Sequence, residues 1–297
     1  MSDEDDGESV DSCEAYISFE STRNQSSRLE ESISFSWPGI YEEYDDFTGV
    51  QHHDDDTTLT RRKLRKVILS TLLEEDDLSP LFDGATWAGT RLWAAAIRGV
   101  QYLSGQLPVY HCSSNENTFI EINRTTPTSV LELGCGLGVP GMILHLLGCH
   151  VVLTDQPDIL SQLEKNVAFN FGHVDDNNDG RKKSRIQAMP LSWSRDNTNQ
   201  LLIELGRETT GFDIVINCDC VFEPLYGQSW HLLNETIDEL LRVNPSCLVL
   251  SSMERRGAAD GIDKFLDEMQ TLNHVASVEK VWAEEARNIE IYVTRGR

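Results

Sequence analysis

The chain has 297 residues and a formal net charge of −24, because 49 acidic side chains stand against 25 Lys and Arg. A charge of this sign argues against the basic surface that general nucleic-acid binding requires, and against attachment to anionic lipid. The sequence contains no run of about 18 apolar residues, so no membrane-spanning helix is predicted.

The acidic residues are concentrated at the start of the chain. Residues 1–60 hold 17 Asp and Glu but only two basic residues, for a charge of −15. Segments with so much charge and so little apolar surface do not offset the entropy cost of ordering. We therefore expect an acidic, disordered tail over residues 1–60, followed by a domain over residues 61–297. Within the tail, residues 33–37 (ISFSW) alternate apolar and polar side chains and resemble a strand.

The first residues and the cysteines bear on the compartment. The opening MSDEDDGESV lacks the basic and apolar pattern of a signal peptide. The seven cysteines are an odd number and widely scattered. We therefore expect reduced thiols and a protein of the cytoplasm, with the nucleus as a further compartment. Cys218 and Cys220 form a single C-x-C pair without a second pair nearby, so no metal site is expected.

Beyond residue 60, apolar residues recur at helical spacing in two stretches, 64–73 and 92–103, and both are predicted to be helices. Short apolar strands then alternate with further helices. The strands are predicted at 130–133, 151–155, 212–216 and 247–251. The helices are predicted up to residue 147, over 159–167 and over 230–243.

This alternation predicts a parallel sheet that is covered by helices on both faces. The final apolar strand, 289–293, has no helix after it, and we expect it to join the sheet antiparallel. The polar residues 172–185, rich in Gly, Asn and Asp, are predicted to form a surface loop.

A glycine-rich turn, ELGCGLGVPG over residues 132–141, follows the first of these strands and opens a helix. Glycines let a ligand approach the backbone closely, and the N-terminus of a helix presents free N–H groups. Asp155 lies 21 residues after Gly134, at the end of the next strand, where a carboxylate can bind both hydroxyls of a ribose. Together these features predict a site for an adenosine-containing cofactor.

Two cofactor classes fit the glycine spacing. Gly136, Gly138 and Gly141 match the dinucleotide fingerprint GxGxxG. Glu132, however, lies inside the strand, where its carboxylate repels a pyrophosphate and attracts a cationic amino-acid group. The sequence therefore favours S-adenosylmethionine, and a nicotinamide oxidoreductase is a distant alternative.

With these motifs the sequence resembles the seven-strand S-adenosylmethionine-dependent methyltransferases, and more narrowly methyltransferase family 16, the protein-lysine methyltransferase group. ELGCGLG at 132–138 and VLTD at 152–155 resemble the first two motifs of that larger class. Four further stretches support the narrower match: GATW at 84–87, NVAFN at 166–170, LSW at 191–193 and DCVF at 219–222. The resemblance covers about residues 80–297. It implies an α/β fold with a Rossmann-like sheet of seven strands, mostly parallel with an antiparallel C-terminal strand.

The resemblance also implies which residues bind the cofactor: Trp87, Glu132, Gly134, Cys135, Gly136, Asp155, Gln156, Trp193 and Cys218. Within this set, the Glu132 carboxylate compensates the positive charge of the cofactor and Asp155 binds its ribose. Trp193 covers the adenine and Trp87 closes the pocket, although a single Trp is as often an ordinary core residue.

Asp219 and Phe222 are implied as the catalytic residues that receive the methyl acceptor. Asp219 would hold or desolvate an incoming lysine amine, and the Phe222 ring would favour a cation. The other interpretation of Asp219 is a residue that caps the following turn. Members of the family usually have Tyr where this chain has Phe222. Phe lacks the Tyr hydroxyl, so the number of methyl groups transferred stays open. Residues 223–227 (EPLYG) are expected at the mouth of the site.

The leading hypothesis is a monomeric, S-adenosylmethionine-dependent protein-lysine N-methyltransferase. By the resemblance, its lysine-bearing substrate is a cytosolic protein such as a chaperone or translation elongation factor, and neither nucleic acid nor membrane is expected as a partner. Two alternatives stay open. One is a methyltransferase for a small molecule or another side chain. The other is a cofactor-binding interaction module without turnover, against which the intact glycine loop, Asp155 and Asp219 argue.

Overall fold

The computed structural model describes residues 17–23, 29–42, 63–70, 89, 92–105, 107, 127–172 and 185–297. In the first three of these ranges it describes the strand backbone alone. Trp87 and the GATW stretch at 84–87 lie outside the described residues, as does most of the loop predicted over 172–185.

The described residues form ten strands and seven α-helices. The strands are β1 (Ile17–Arg23), β2 (Leu29–Glu42), β3 (Lys63–Ser70), β4 (Ser129–Leu133), β5 (His150–Asp155), β6 (Ile186–Pro190), β7 (Ile214–Cys218), β8 (Leu248–Glu254), β9 (Val275–Glu284) and β10 (Ile289–Gly296). The helices are α1 (Ala94–Leu103), α2 (Val139–Leu146), α3 (Pro157–Phe171), α4 (Arg195–Glu204), α5 (Glu223–Tyr226), α6 (Trp230–Val243) and α7 (Ile262–Thr271). None of these helices is both long enough and apolar enough to cross a membrane.

Seven strands form one sheet in the order β6-β5-β4-β7-β8-β10-β9. The first five are parallel neighbours, and β10 runs antiparallel to both β8 and β9. This confirms the expected fold class, including the antiparallel C-terminal strand. The order reverses at β4, which lies between β5 and β7. In such sheets ligands bind outside the carboxyl ends of the strands at the point of reversal.

Two apolar cores lie on the two faces of this sheet. Along β4 the side chains alternate, so that Val130 joins one core and Leu131 and Leu133 join the other. Helices α1, α2 and α3 contribute to the first core, and α4, α6 and α7 to the second. The prediction of helices on both faces is therefore confirmed. All five residues of β4 are buried, as expected for a central parallel strand.

The other three strands form a separate antiparallel sheet in the order β1-β2-β3. The strand predicted at 33–37 is confirmed as part of β2. The helix predicted over 64–73 is wrong for residues 63–70, which form β3. Val67 is paired with Phe35, a partner far away in the sequence, and such pairing overrides local helical spacing. The division of the chain into a tail and a domain at residue 60 stays a prediction.

Candidate active site

A cavity of about 260 Å³ opens at the carboxyl ends of β4, β5 and β7. Nine of the eleven predicted site residues line it: Glu132, Gly134, Cys135, Gly136, Asp155, Gln156, Trp193, Cys218 and Asp219. Of the other two, Trp87 lies outside the described residues and Phe222 is not part of the lining. The sheet order therefore brings together motifs that are up to 87 positions apart in the sequence.

The glycine loop between β4 and α2 turns sharply into the cavity. Gly134 and Gly136 have φ of 60° and 53°, in the left-handed region where a side chain is strained. The space is also closed. A Cβ atom at Gly134 would lie 2.8 Å from the Cys220 Sγ and 2.9 Å from the Trp193 ring, and one at Gly136 would lie 2.9 Å from the Gly89 carbonyl oxygen. These two glycines are therefore required by conformation and by close packing.

Asp155 ends β5 with its carboxylate fixed by two backbone donors. The Gly136 N–H donates to Oδ2 at 2.6 Å, and the Gln156 N–H donates to Oδ1 at 2.7 Å. These bonds hold the carboxylate at the cavity wall, beside the glycine loop. Each carboxylate oxygen has a second lone pair, so the group retains acceptor capacity for two ligand hydroxyls.

Glu132 is 1% exposed and lines the cavity from inside β4. Its Oε2 accepts a hydrogen bond from the Gly141 N–H at 2.8 Å, at the start of α2. Burial raises the pKa of Glu132 to about 8, and the Gly141 bond only partly opposes this. Among the described residues, no basic side chain forms an ion pair with Glu132 or Asp155.

Apart from Glu132 and Asp155, the cavity wall near the glycine loop is mainly apolar. Trp193 lies just after β6, with its ring packed against Gly134. Leu137, Ile159 and Leu191 also line the cavity. A flat aromatic ligand group fits against such a wall, and polar groups at one end then fix its orientation.

The turn after β7 forms a second wall of the cavity, next to the glycine loop. Cys218 ends the strand, and Asp219 has φ of 59°, one of two non-glycine residues with positive φ among those described. The Asp219 N–H donates to the Ser252 carbonyl oxygen at 2.8 Å. Asp is among the side chains that tolerate this conformation best. The backbone of the turn is thus held to the neighbouring strand β8.

The Asp219 carboxylate faces Arg256, a residue that the sequence reasoning did not single out. Arg256 Nη1 and Nη2 donate to Oδ1 and Oδ2 at 3.0 and 2.5 Å. The Glu254 N–H also donates to Oδ1, at 3.2 Å. The Asp219 side chain is 2% exposed, so its charge is already compensated within the protein.

Phe222 is not part of the cavity lining, whereas Tyr226, in the stretch expected at the mouth, is. The Phe222 ring lies against the Arg256 guanidinium, with Cζ 5.3 Å from the ring centroid. Tyr226, one helical turn later in α5, lines the cavity. Burial raises the pKa of Tyr226 well above its usual value, and the nearby acidic groups of Cys220 and Asp219 add to the effect. An aromatic hydroxyl is therefore present at this wall, at position 226 and not at position 222.

The sequence contained weak signals for the missed residues. Arg256 follows the predicted strand 247–251 in the run Glu254-Arg255-Arg256, and the carboxyl ends of neighbouring parallel strands meet at one edge. Tyr226 belongs to the stretch expected at the mouth. The structure describes no cluster of three or more metal-ligating side chains within these residues, and the five described cysteines are free thiols.

Comparison with known proteins gives the family. The family model described as "Lysine methyltransferase" matches residues 73–272. "Secreted RxLR effector protein 48" of Plasmopara viticola is 44% identical over 130 residues, which are 43% of this chain and 64% of that protein. "EEF1A lysine methyltransferase 3" of Xenopus tropicalis is 33% identical over 126 residues, 42% of this chain and 47% of that protein.

"Protein N-lysine methyltransferase METTL21A" of Danio rerio is 30% identical over 163 residues, which are 55% of this chain and 64% of that protein. The chain thus spans about half to two thirds of the length of these relatives. The family model, by contrast, covers more than half of the chain and includes β4 to α7 with the whole glycine loop. The chain belongs to the lysine methyltransferase family.

Proposed function

We propose that the protein is an S-adenosylmethionine-dependent protein-lysine N-methyltransferase. One observation supports this most strongly: Glu132 and Asp155 are buried carboxylates in the cavity wall without a basic partner among the described residues. Burial makes ionisation of these groups unfavourable, and it raises the pKa of Glu132 to about 8, unless a cationic ligand compensates the charge. A cationic cofactor does so, whereas a pyrophosphate adds charge of the same sign.

The cavity residues fit the cofactor in three parts. Asp155 has lone pairs left for the ribose hydroxyls, and Glu132 lies where a cationic amino-acid group is favoured. The apolar wall with Trp193 suits the adenine. When bound, S-adenosylmethionine supplies an activated methyl group on a good leaving group. Positioning of the acceptor then matters more than a strong base.

We call the part of the cavity with Glu132 and Asp155 the cofactor wall, and the part with Asp219, Trp93 and Tyr226 the acceptor wall. The acceptor wall would receive the amine. Trp93 and Tyr226 line the cavity beside Asp219, so the acceptor passes between aromatic surfaces. Aromatic faces favour a cation and exclude water, and the Tyr226 hydroxyl offers a hydrogen-bond partner to a nitrogen. In this arrangement Asp219 does not meet the amine as a free carboxylate, because Arg256 already occupies it.

The acceptor class is supported by the family and by the names of relatives. Relatives are named for methylation of EEF1A lysine and of protein lysine. We therefore extend the proposal to a lysine of a cytosolic protein, with a translation elongation factor or a chaperone as the substrate type. A monomer that needs neither nucleic acid nor membrane is part of the same proposal.

Calorimetric titration tests the cofactor. S-adenosylhomocysteine is expected to bind at one site per chain, and NAD is expected not to bind. The full-length protein is used for both titrations. Binding of NAD without binding of S-adenosylhomocysteine would overturn the cofactor assignment, because the two buried carboxylates would then have tolerated a pyrophosphate.

Labelling tests the reaction. The protein is incubated with methyl-labelled S-adenosylmethionine and an extract of cells that lack it, and a discrete labelled protein band is expected. Hydrolysis of the band should release methylated lysine. Label found only in small molecules would support a small-molecule methyltransferase. No label despite cofactor binding would support a cofactor-binding module without turnover.

A second acceptor has one observation in its favour. Because Arg256 neutralises Asp219, the site does not present a free anion to an ammonium group, and a neutral side-chain nitrogen would also fit. A relative named "Histidine protein methyltransferase 1 homolog" is 27% identical over 207 residues. The same hydrolysis distinguishes the two acceptors, since it would then release methylated histidine.

A further inference from the structure

Arg256 is the residue that the acceptor wall is built around, although it does not itself line the cavity. Its guanidinium takes the Asp219 carboxylate with two nitrogens and reaches Glu254 Oε2 at 3.0 Å. A guanidinium with two parallel bonds to one carboxylate fixes the plane and the direction of that carboxylate. Asp219 is therefore held in one orientation.

Two aromatic rings lie against the same guanidinium. The Arg256 Cζ is 5.2 Å from the centroid of the Trp93 ring and 5.3 Å from that of Phe222. Both distances are within the range of cation–π attraction. Trp93 also lines the cavity, directly before α1. Through this contact Arg256 connects the Asp219 turn with the ring that an acceptor side chain would pass.

The backbone holds Arg256 in this place. Asp260 Oδ2 accepts from the Arg256 N–H at 3.1 Å, and Asp260 Oδ1 accepts from the Ile262 N–H at 2.9 Å, at the start of α7. The Asp260 carbonyl oxygen accepts from the Glu223 N–H at 2.7 Å, which joins this loop to α5. Asp260 is 3% exposed. The loop that carries Arg256 is thus anchored to the two helices next to the acceptor wall.

The charges of this cluster do not cancel. Asp219 and Glu254 carry two negative charges against the one positive charge of Arg256. Glu254 is partly exposed and shares Arg256 with Asp219, so the buried carboxylate is compensated and the cluster keeps a formal charge of −1.

We infer that Arg256 is a positioning residue for methyl transfer, which acts by holding Asp219 and by fixing the Trp93 and Phe222 rings around the acceptor. This rests on the proposed function, since it deepens the assignment of the same site. Arg256 does not touch the cofactor part of the cavity. Its role is therefore separable from cofactor binding.

The test compares Arg256→Gln, Arg256→Lys and the matched control Arg255→Gln in the full chain. Arg255 is the preceding arginine and pairs with Glu290 and Asp263, away from the cavity. The readouts are S-adenosylhomocysteine affinity by calorimetry, the unfolding midpoint, and apparent kcat and KM for label transfer to extract proteins.

Arg256→Gln is expected to lower apparent kcat by about 100-fold, the effect of a small misplacement of reacting groups. Its affinity for S-adenosylhomocysteine should stay within about twofold of wild type, since the charges at that end are unchanged. Arg256→Lys should be faster than Arg256→Gln, because Lys keeps the positive charge. It should stay slower than wild type, because an ammonium group cannot make the two parallel hydrogen bonds of a guanidinium. Arg255→Gln should keep the wild-type rate.

A double variant shows whether Arg256 acts through Asp219. The double variant Asp219→Asn, Arg256→Gln should lose no more rate than the slower single variant. The reason is that each substitution breaks the same ion pair between Arg256 and Asp219. Wild-type kcat in Arg256→Gln, an equal loss in Arg255→Gln, or losses that multiply in the double variant would each overturn the inference.

Failure of the proposed function looks different. If the wild-type protein labels no protein lysine, that proposal fails whatever the variants do. If it labels another side chain, the same variants are measured on that acceptor, and the positioning role of Arg256 is judged there.

Discussion

The two walls of the cavity treat buried negative charge in opposite ways. At the cofactor wall, Glu132 and Asp155 receive only backbone N–H groups. At the acceptor wall, Asp219 is paired with the chain's own Arg256. The first wall therefore depends on its ligand for charge compensation, whereas the second is complete before any ligand arrives. In the proposed function, the first wall selects a cationic ligand and the second fixes the geometry of the acceptor.

The largest expected effect is on stability, with opposite signs at the two walls. Asp219→Asn removes the buried one of the two carboxylates that pair with Arg256 and should lower the free energy of unfolding by about 3 kcal/mol. Glu132→Gln removes a buried carboxyl group whose ionisation is unfavourable, keeps an acceptor for Gly141, and should raise the stability of the ligand-free protein at pH 8. Chemical denaturation measures both. Destabilisation by the two variants alike would contradict the contrast between the walls.

Substitutions at the cofactor wall alone should change the affinity for the cofactor. Asp155→Asn loses hydrogen bonds to a charged acceptor and should weaken S-adenosylhomocysteine binding by roughly 100-fold. The exposed Asp196→Asn, at the start of α4, is the matched control and should bind like wild type. Calorimetry decides the matter. Equal affinity in Asp155→Asn and Asp196→Asn would remove Asp155 from the cofactor site.

The pH dependence follows from the raised pKa of Glu132, about 8 against 4.5 in the unfolded chain. The folded protein keeps a proton that the unfolded chain releases, so this contribution to stability is full below pH 4.5 and is lost as pH rises through about 8. The wild-type unfolding midpoint should therefore fall relative to that of Glu132→Gln between these limits. A constant difference between the two proteins across that window would contradict this.

Ligand binding should show the complementary trend. Only the ionised Glu132 attracts a cation, so S-adenosylhomocysteine affinity should rise as pH increases from 6 to 8, by at most about tenfold per unit. Glu132→Gln should flatten this rise. The measurement is calorimetry at several pH values, with the unfolding midpoints taken in the same buffers.

The smallest expected effect belongs to the hydroxyl at position 226. Tyr226→Phe removes one hydrogen-bonding group from the acceptor wall and should slow transfer about fivefold, with cofactor affinity unchanged. Tyr292→Phe is the matched control, because its hydroxyl donates to Glu290 in the network around β10. The products are also compared by mass spectrometry. If both variants transfer methyl groups at the same rate, Tyr226 has no role in the reaction.

The cofactor wall was predictable from the sequence because its residues form local patterns. Strand β4, the glycines and Asp155 follow one another within 27 positions, and the glycines and Asp155 each come at the end of an apolar run. Their types also state their chemistry, since glycines accept positive φ and a carboxylate after a strand binds hydroxyls. No long-range information was needed to recognise them.

The acceptor wall depends on contacts that no local pattern contains. Asp219 and Arg256 are 37 positions apart, and only the adjacency of β7 and β8 brings them together. The strand β3 was missed for the same reason, because its pairing with β2 is invisible in the spacing of Leu64 and Val67.

The two walls meet at a single thiol. The Cys220 Sγ lies under Gly134, where a methyl group would not fit, and it donates to the Leu133 carbonyl oxygen at 3.2 Å. Cys220 directly follows Asp219, so any displacement of the glycine loop would press on the Asp219 turn through this contact. A ligand that moved the loop would then change the affinity of the other wall for its own ligand, and by linkage the effect would be reciprocal.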